Sequence, residues 1–156
     1  MVEIYDFAEL DSEKQHEIAR VVSLSTIIDS EKQHPLLVPV TMQEILTTAD
    51  ARVALTVKNL FAGYIRAKDT LYDENAVAFR QIGTLTVIPE FRGNGVGIDL
   101  VKTMTQLVLA GAKPFAFVNP RSEKTFITAG YKQAEPNELP IEAVSKLGNQ
   151  SMIYPN

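Results

Sequence analysis

Residues 86–101 read TVIPEFRGNGVGIDLV. An apolar run closed by Pro89 leads into glycines at alternate positions, Gly93, Gly95 and Gly97, and then into a segment with helical spacing. Glycine costs backbone entropy, so such a cluster between strand and helix signals tight turning or close approach of a ligand. A helix starting there leaves the amide N–H groups of its first turn without intrahelical partners, and its dipole favours negative charge. Arg92 adds a cation at the mouth of the loop. An anion at this place must be held by local donors. The formal charge of −4 provides no electrostatic footprint for nucleic acid or an anionic membrane.

Three loop chemistries compete for this stretch. A Walker loop needs Gly-Lys followed by Ser or Thr, whereas Gly97 precedes Ile98 and Asp99. A dinucleotide fingerprint needs G-x-G-x-x-G directly after a strand. Here the third glycine falls at 97 instead of 98, and PEFR intervenes between strand and glycines. The third is a pyrophosphate cradle at a helix N-terminus, and the residues suit it. The remaining composition narrows the chemistry further. The chain has no cysteine, hence no disulfide framework, thiolate metal site or cysteine nucleophile, and its imidazoles are His16 and His34 alone. With no H-E-x-x-H, no metal site is expected.

At 156 residues and 46% apolar, the chain is expected to be a single domain over 1–156 with a real core. Its acidic start, MVEIYDFAELDSEK, is unlike a signal peptide, and no apolar run has the length of a membrane span, so the expectation is a cytoplasmic protein. Residues 2–7 read as a strand. Ser12 with Gln15 gives a capping-box signal for a helix over about 12–28, and Thr41 with Glu44 repeats it for a short second helix over 42–49. The segment 30–40, with two prolines, reads as a loop. Residues 53–57 and 61–67 read as a hairpin, 69–76 as an acidic linker, and 77–88 as a long strand. A helix follows over 97–110, then a buried strand over 115–118, a helix from Ser122 to Ala129, and strands over 131–134 and 151–154. This order implies a mixed sheet with helices on both faces.

VIPEFRGNGVG resembles motif A of the GCN5-related N-acetyltransferases (GNAT), whose loop reads Arg/Gln-x-x-Gly-x-Gly/Ala; Arg92, Gly95 and Gly97 take those places. FVNPRSEKTFITAGYK resembles the same family's motif B, a strand, an asparagine, and a helix ending in Gly-aromatic. The resemblance implies an α/β GNAT fold, in which a single mixed, mostly antiparallel central sheet is splayed between strands 4 and 5 with helices on both faces. It implies acetyl-CoA as cosubstrate. The backbone of Leu85, Thr86 and Val87 would receive the acetyl carbonyl and pantetheine arm, and Arg92, Gly93, Asn94, Gly95, Val96 and Gly97 the pyrophosphate. Asn119 and Ser122 would flank the pantetheine and adenosine side. Read from the residues alone, Asn119 before Pro120 is equally a turn residue, and Ser122 equally the N-cap of the next helix.

The resemblance places a proton-donating tyrosine seven residues beyond the asparagine, where this chain has Phe126. The glutamate that relatives carry in the fourth or fifth strand is also missing from VAFRQIGTLTV and FAFV. Tyr64 is the candidate catalytic group, with Tyr72, Asp73, Glu74 or water as substitutes. Tyr131 takes a packing position in the family. Two functions stay open: acetyl transfer to a primary amine of a small molecule, amino acid or protein, and catalytically weak acyl-CoA binding by a regulatory module. Glu138-Leu139-Pro140 after the Gly-aromatic pair resembles the ends of amino-acid acetyltransferase domains, which implies a small amino-bearing acceptor, while the net acidity fits a cationic one equally well. The expected partner is that amine acceptor, with no nucleic acid and no membrane, the chain acting as a monomer or homodimer.

Overall fold

The structure, a computed structural model, describes residues 1–33, 39–143 and 149–155, with backbone alone over 29–33. Strands Val2–Asp6 (β1), Asp50–Thr56 (β2), Phe61–Tyr72 (β3), Ala78–Val87 (β4), Lys113–Val118 (β5), Lys132–Gln133 (β6) and Gln150–Ile153 (β7) form one sheet in the order β1-β2-β3-β4-β5-β7-β6. Helices Ser12–Gln33 (α1), Met42–Leu46 (α2), Val96–Leu109 (α3) and Pro120–Thr128 (α4) cover it. Every pairing is antiparallel except β4 with β5, which a β4-α3-β5 crossover makes parallel.

The alternating pattern of the central strands divides the apolar side chains between two faces. On one, Ile65, Ile82, Leu100, Val101 and Met104 join the inner sides of α3 and α4 to the sheet. On the other, Val53, Leu55 and Tyr64 meet Ile18, Val22 and Ile45 of α1 and α2. Gly63 lets α3 lie close. A Cβ there would stand 2.9 Å from Leu100 Cδ1, 3.0 Å from the Thr86 carbonyl oxygen and 3.2 Å from Val96 Cγ1.

The order of elements matches the sequence expectation, with local differences that have physical reasons. Asp11, not Ser12, opens α1, its Oδ1 accepting the Lys14 N–H at 2.8 Å. The Gln15 amide turns back to the carbonyls of Phe7 and Leu10 instead. Thr41 does cap α2, accepting from the Glu44 N–H at 3.1 Å, but that helix ends at Leu46. The expected linker over 69–76 is mostly strand: β3 continues to Tyr72, and a short turn follows in which Asp73 Oδ1 accepts from the Asn75 and Val77 N–H groups. Helix α1 runs on to Gln33, past its expected end at 28; His34 and Pro35, within the expected proline loop, lie outside the described residues. No helix among the described residues is long and apolar enough to cross a membrane.

Candidate active site

A register shift in the β3–β4 ladder shapes the site. Tyr64 pairs with Thr86, but Arg66 pairs with Gly83, so Thr84 and Leu85 together oppose Ile65 alone. This is a β-bulge, which bends the strand that carries it and strengthens its twist. Its residue Thr84 has φ +54°, a backbone conformation that β-branched residues seldom adopt. The Arg66 Nε–H donates to Thr84 Oγ1 at 2.9 Å across the bulge.

Beyond the bulge, β4 leaves its parallel neighbour. The β4–β5 register covers Phe79 with Lys113, Arg80 with Pro114 and Gln81 with Phe115, and then stops, although β4 runs to Val87 and β5 to Val118. Ile88 N–H still donates to the Ala62 carbonyl on the β3 side. Antiparallel alternation therefore turns the N–H and carbonyl of Val87 toward the open side. The Val87 carbonyl accepts from Arg92 Nε at 2.9 Å. The Val87 N–H faces the gap.

A cleft of about 760 Å³ fills this gap and passes from the α3–α4 side of the sheet to the α1 side, where Thr26 and Val40 line it. At one end lies the start of α3. Gly95 takes the N-cap position at φ +79° with no side-chain cap, and Gly93 has φ +80°. The first backbone bond of the helix is Asp99 N–H to the Gly95 carbonyl, so the N–H groups of Val96, Gly97 and Ile98 precede any intrahelical pairing. A Cβ on Gly93 or Gly95 would meet nothing within 4 Å, so these two are glycine for the left-handed backbone. Gly97 differs: a Cβ there would make ordinary contacts at 3.5 Å with Val87 and Thr125.

Among structures solved experimentally, the chain is similar to a GNAT-family acetyltransferase from Staphylococcus aureus Mu50 (TM-score 0.68, 13% identity, 99% of this chain and 98% of that one). It is also similar to N-acetylglutamate synthase from Neisseria gonorrhoeae, complexed with coenzyme A and N-acetyl-glutamate (TM-score 0.73, 17% identity). That match covers 99% of this chain but only 35% of the synthase. A GNAT-family acetyltransferase from Brucella melitensis in complex with acetyl-CoA matches at TM-score 0.59 and 17% identity, over 85% of this chain and 83% of that one. The fold is that of the GNAT acetyltransferases. No protein-family model and no curated protein sequence matches this chain.

Of the residues the sequence singled out, Leu85, Thr86, Val87, Arg92, Gly93, Gly95, Val96, Gly97, Asn119 and Ser122 line this one cleft of the GNAT fold. Asn94 is not among the lining residues; it is exposed, its Nδ2–H groups directed to the carbonyls of Phe91 and Arg92 at 3.5 and 3.4 Å. Asn119 is both cap and wall: its Oδ1 accepts the N–H groups of Arg121 and Ser122 at 2.9 and 3.0 Å while it borders the cleft. Ser122 is therefore not an N-cap but the third residue of α4, completing a capping box with Asn119.

Tyr64, the candidate catalytic group, is fully buried in the α1–α2 core, edge-on to Phe7, and does not line the cleft. Burial pushes its ionisation up to about 12, opposed by the Arg66 charge and the nearby Thr48 hydroxyl. Even so, the Tyr64 hydroxyl has no partner in hydrogen-bonding geometry among the described residues. Tyr72 lies exposed at the far end of β3, Asp73 is occupied in its turn, and neither they nor Glu74 border the cleft. Phe126 does border it, its ring packed edge-on to Tyr131 at 5.1 Å between centroids. The Tyr131 hydroxyl bonds to Thr105 at 2.7 Å, deep in the core.

The cleft contains residues that sequence reasoning missed, above all Arg66, Lys68, Arg121 and Glu142. Arg66 and Lys68 did carry a signal, since they alternate with Tyr64 along β3 and so share its face. Nothing local marks Glu142, which reaches the cleft from the loop before β7.

Proposed function

We propose that residues 1–156 act as one acetyl-CoA-dependent N-acetyltransferase domain, transferring an acetyl group to a primary amine. The observation that carries this reading is the parting of β4 from β5 after Gln81, which turns the Val87 N–H into a cleft closed at one end by an uncapped helix N-terminus. A pantetheine arm bears amides that pair with an open strand edge as a further strand would. The N–H groups of Val96, Gly97 and Ile98, with Arg92 and Arg121 beside them, suit a pyrophosphate. The GNAT neighbours solved with coenzyme A or acetyl-CoA support the same assignment.

Acetyl-CoA supplies an activated acetyl group on a thiol leaving group. The chain's own part is to hold and polarise. The Val87 N–H donates toward the carbonyl oxygen and favours the negative charge that grows there as an amine attacks. The bulge fixes the direction of that N–H, and the α3 dipole favours charge near the departing sulfur. Among the described residues the cleft lining holds no tyrosine, cysteine or histidine, and Glu142 is its only carboxylate. That lining favours a second reading, an acyl-CoA-binding module with slow transfer. The C–S bond breaks to a thiolate whose thiol has a pKa of roughly 8.5, so it departs without a strong acid, and water can carry the proton that the amine nitrogen loses to that sulfur.

Calorimetric titration with acetyl-CoA and CoA, beside thiol release across an amine panel, tests both readings. Gly95→Val should weaken CoA binding about tenfold or more, on the order of 1.4 kcal/mol. Tight CoA binding with no thiol release on any amine selects the binding module. Absence of CoA binding by the folded protein removes both.

A further inference from the structure

Among the described residues, the cleft lining carries more cations than carboxylates, although the chain is acidic. Arg66, Lys68, Arg92 and Arg121 line it against Glu142. These cations form two poles. Arg92 and Arg121 stand at the starts of α3 and α4, where the proposed pyrophosphate would lie. Arg66 and Lys68 stand on β3, two residues apart and so on one face of the strand, the face that carries α2.

Arg66 is 7% exposed, and its surroundings do not saturate a buried guanidinium. Its Nε–H is used by Thr84 Oγ1 at 2.9 Å, and its Nη1 approaches Thr48 Oγ1 at 3.4 Å. Its carboxylate neighbour, Glu44, lies at 3.6 Å from Nη2 and is half exposed. Charge-assisted pairs close to about 2.7–2.9 Å, as Arg80 and Asp50 do here at 2.7 Å. Arg66 thus has a fixed planar fork, a distant counter-ion and a side on the cleft. A carboxylate satisfies such a fork bidentately, and an ammonium cannot.

Resting on the acetyltransferase reading, we propose that the acceptor is a carboxylate-bearing amine, of the amino-acid class, whose carboxylate is received by Arg66 with Lys68 contributing long-range attraction. The spacing suits a small acceptor. One strand repeat, about 7 Å, separates Arg66 from Tyr64, whose register partner Thr86 precedes Val87. A backbone separation of that order suits an acceptor whose amine lies a few bonds from its carboxylate. Polyamines and lysine-rich peptides would meet two like charges instead. The acidity of the whole chain points toward cationic acceptors, whereas Arg66 on the cleft points toward an acidic group.

The test pairs each of the twenty amino acids with its C-terminal carboxamide, adds spermidine, and follows thiol release together with calorimetric binding to CoA-saturated protein. Free acids should exceed their carboxamides by about 10-fold or more in kcat/KM or, where transfer is slow, in affinity. Arg66→Gln should bring that ratio close to one by raising KM, with Lys68→Gln moving it in the same direction by a few-fold, while CoA affinity stays within about twofold. Preference for carboxamides or spermidine, survival of the ratio in folded Arg66→Gln, or no acid bound or turned over by CoA-saturated protein each overturns the proposal. Failure of the wild-type chain to bind CoA at all instead overturns the acetyltransferase reading beneath it.

Discussion

Replacing Gly95 and Gly97 by alanine, one at a time, separates two reasons for placing glycines in a loop. Gly95 holds φ +79°, and a Cβ there would touch nothing within 4 Å. The whole cost of Gly95→Ala is therefore backbone strain, about 1–2 kcal/mol for a left-handed L-residue. In a chain of this size each 1 kcal/mol moves Tm by about 2–4 °C, so Gly95→Ala should lower Tm by about 2–8 °C. Gly97 has no left-handed φ, and its added Cβ would lie at ordinary contact distances, 3.5 Å from Val87 Cγ2 and from Thr125 Cγ2. There alanine mainly reduces the freedom of the unfolded chain, which stabilises by about 0.4–1 kcal/mol and should raise Tm by about 1–4 °C. Thermal melts of ligand-free protein, read by circular dichroism with reversibility checked, measure both. Equal losses in the two variants would show that space, not backbone conformation, dictates both glycines, and the reasoning from φ would be refuted.

Gly63→Ala forces a methyl against Leu100, Val96 and the Thr86 carbonyl; the leucine can turn but the ladder-bound carbonyl cannot, so urea unfolding should show a loss of about 1–3 kcal/mol. An unchanged midpoint would mean that α3 shifts freely on the sheet. Tyr64→Phe removes a buried hydroxyl that has no hydrogen-bond partner among the described residues, so stability at neutral pH should hold or rise by up to about 1 kcal/mol, and acetyl transfer should not change. Because burial raises the ionisation of Tyr64 from 10 to about 12, the fold favours the protonated form; that stabilisation is complete below pH 10 and is lost as pH climbs toward 12. Wild type should accordingly lose stability relative to Tyr64→Phe over that window, and parallel curves would contradict a buried, titrating Tyr64. Phe126→Tyr should keep the fold and, if a vacant acid site limits transfer, increase turnover by about tenfold or more, toward the 10²–10⁴-fold that positioned acids contribute. No gain on the best amine found would place the limiting step elsewhere.

The glycine loop, the Thr41 cap and the strand-loop-helix order around Arg92 were legible in the sequence because each depends on residues a few positions apart. A left-handed turn, a cap or a helical stripe is decided by local sterics and hydrogen bonding, and the chain records them directly. The same locality made ten of the eleven expected cosubstrate contacts line one cleft, since they sit on two successive strand-helix junctions, β4–α3 and β5–α4. Tyr64 shows where locality ends. Its place on β3 suggested a side chain near the chemistry, but α1 and α2 fold over its stretch of that face and bury it. Arg66 and Lys68 are the complementary case: ordinary in the sequence, they become a pole of the cleft once β4 parts from β5. That parallel register, which ends at Gln81 and Phe115, joins two strands with the whole of α3 between them in the chain. Pairing between distant strands is set by the packing of the whole sheet, so the sequence determined the parts of the site and the tertiary structure decided which of them face one another.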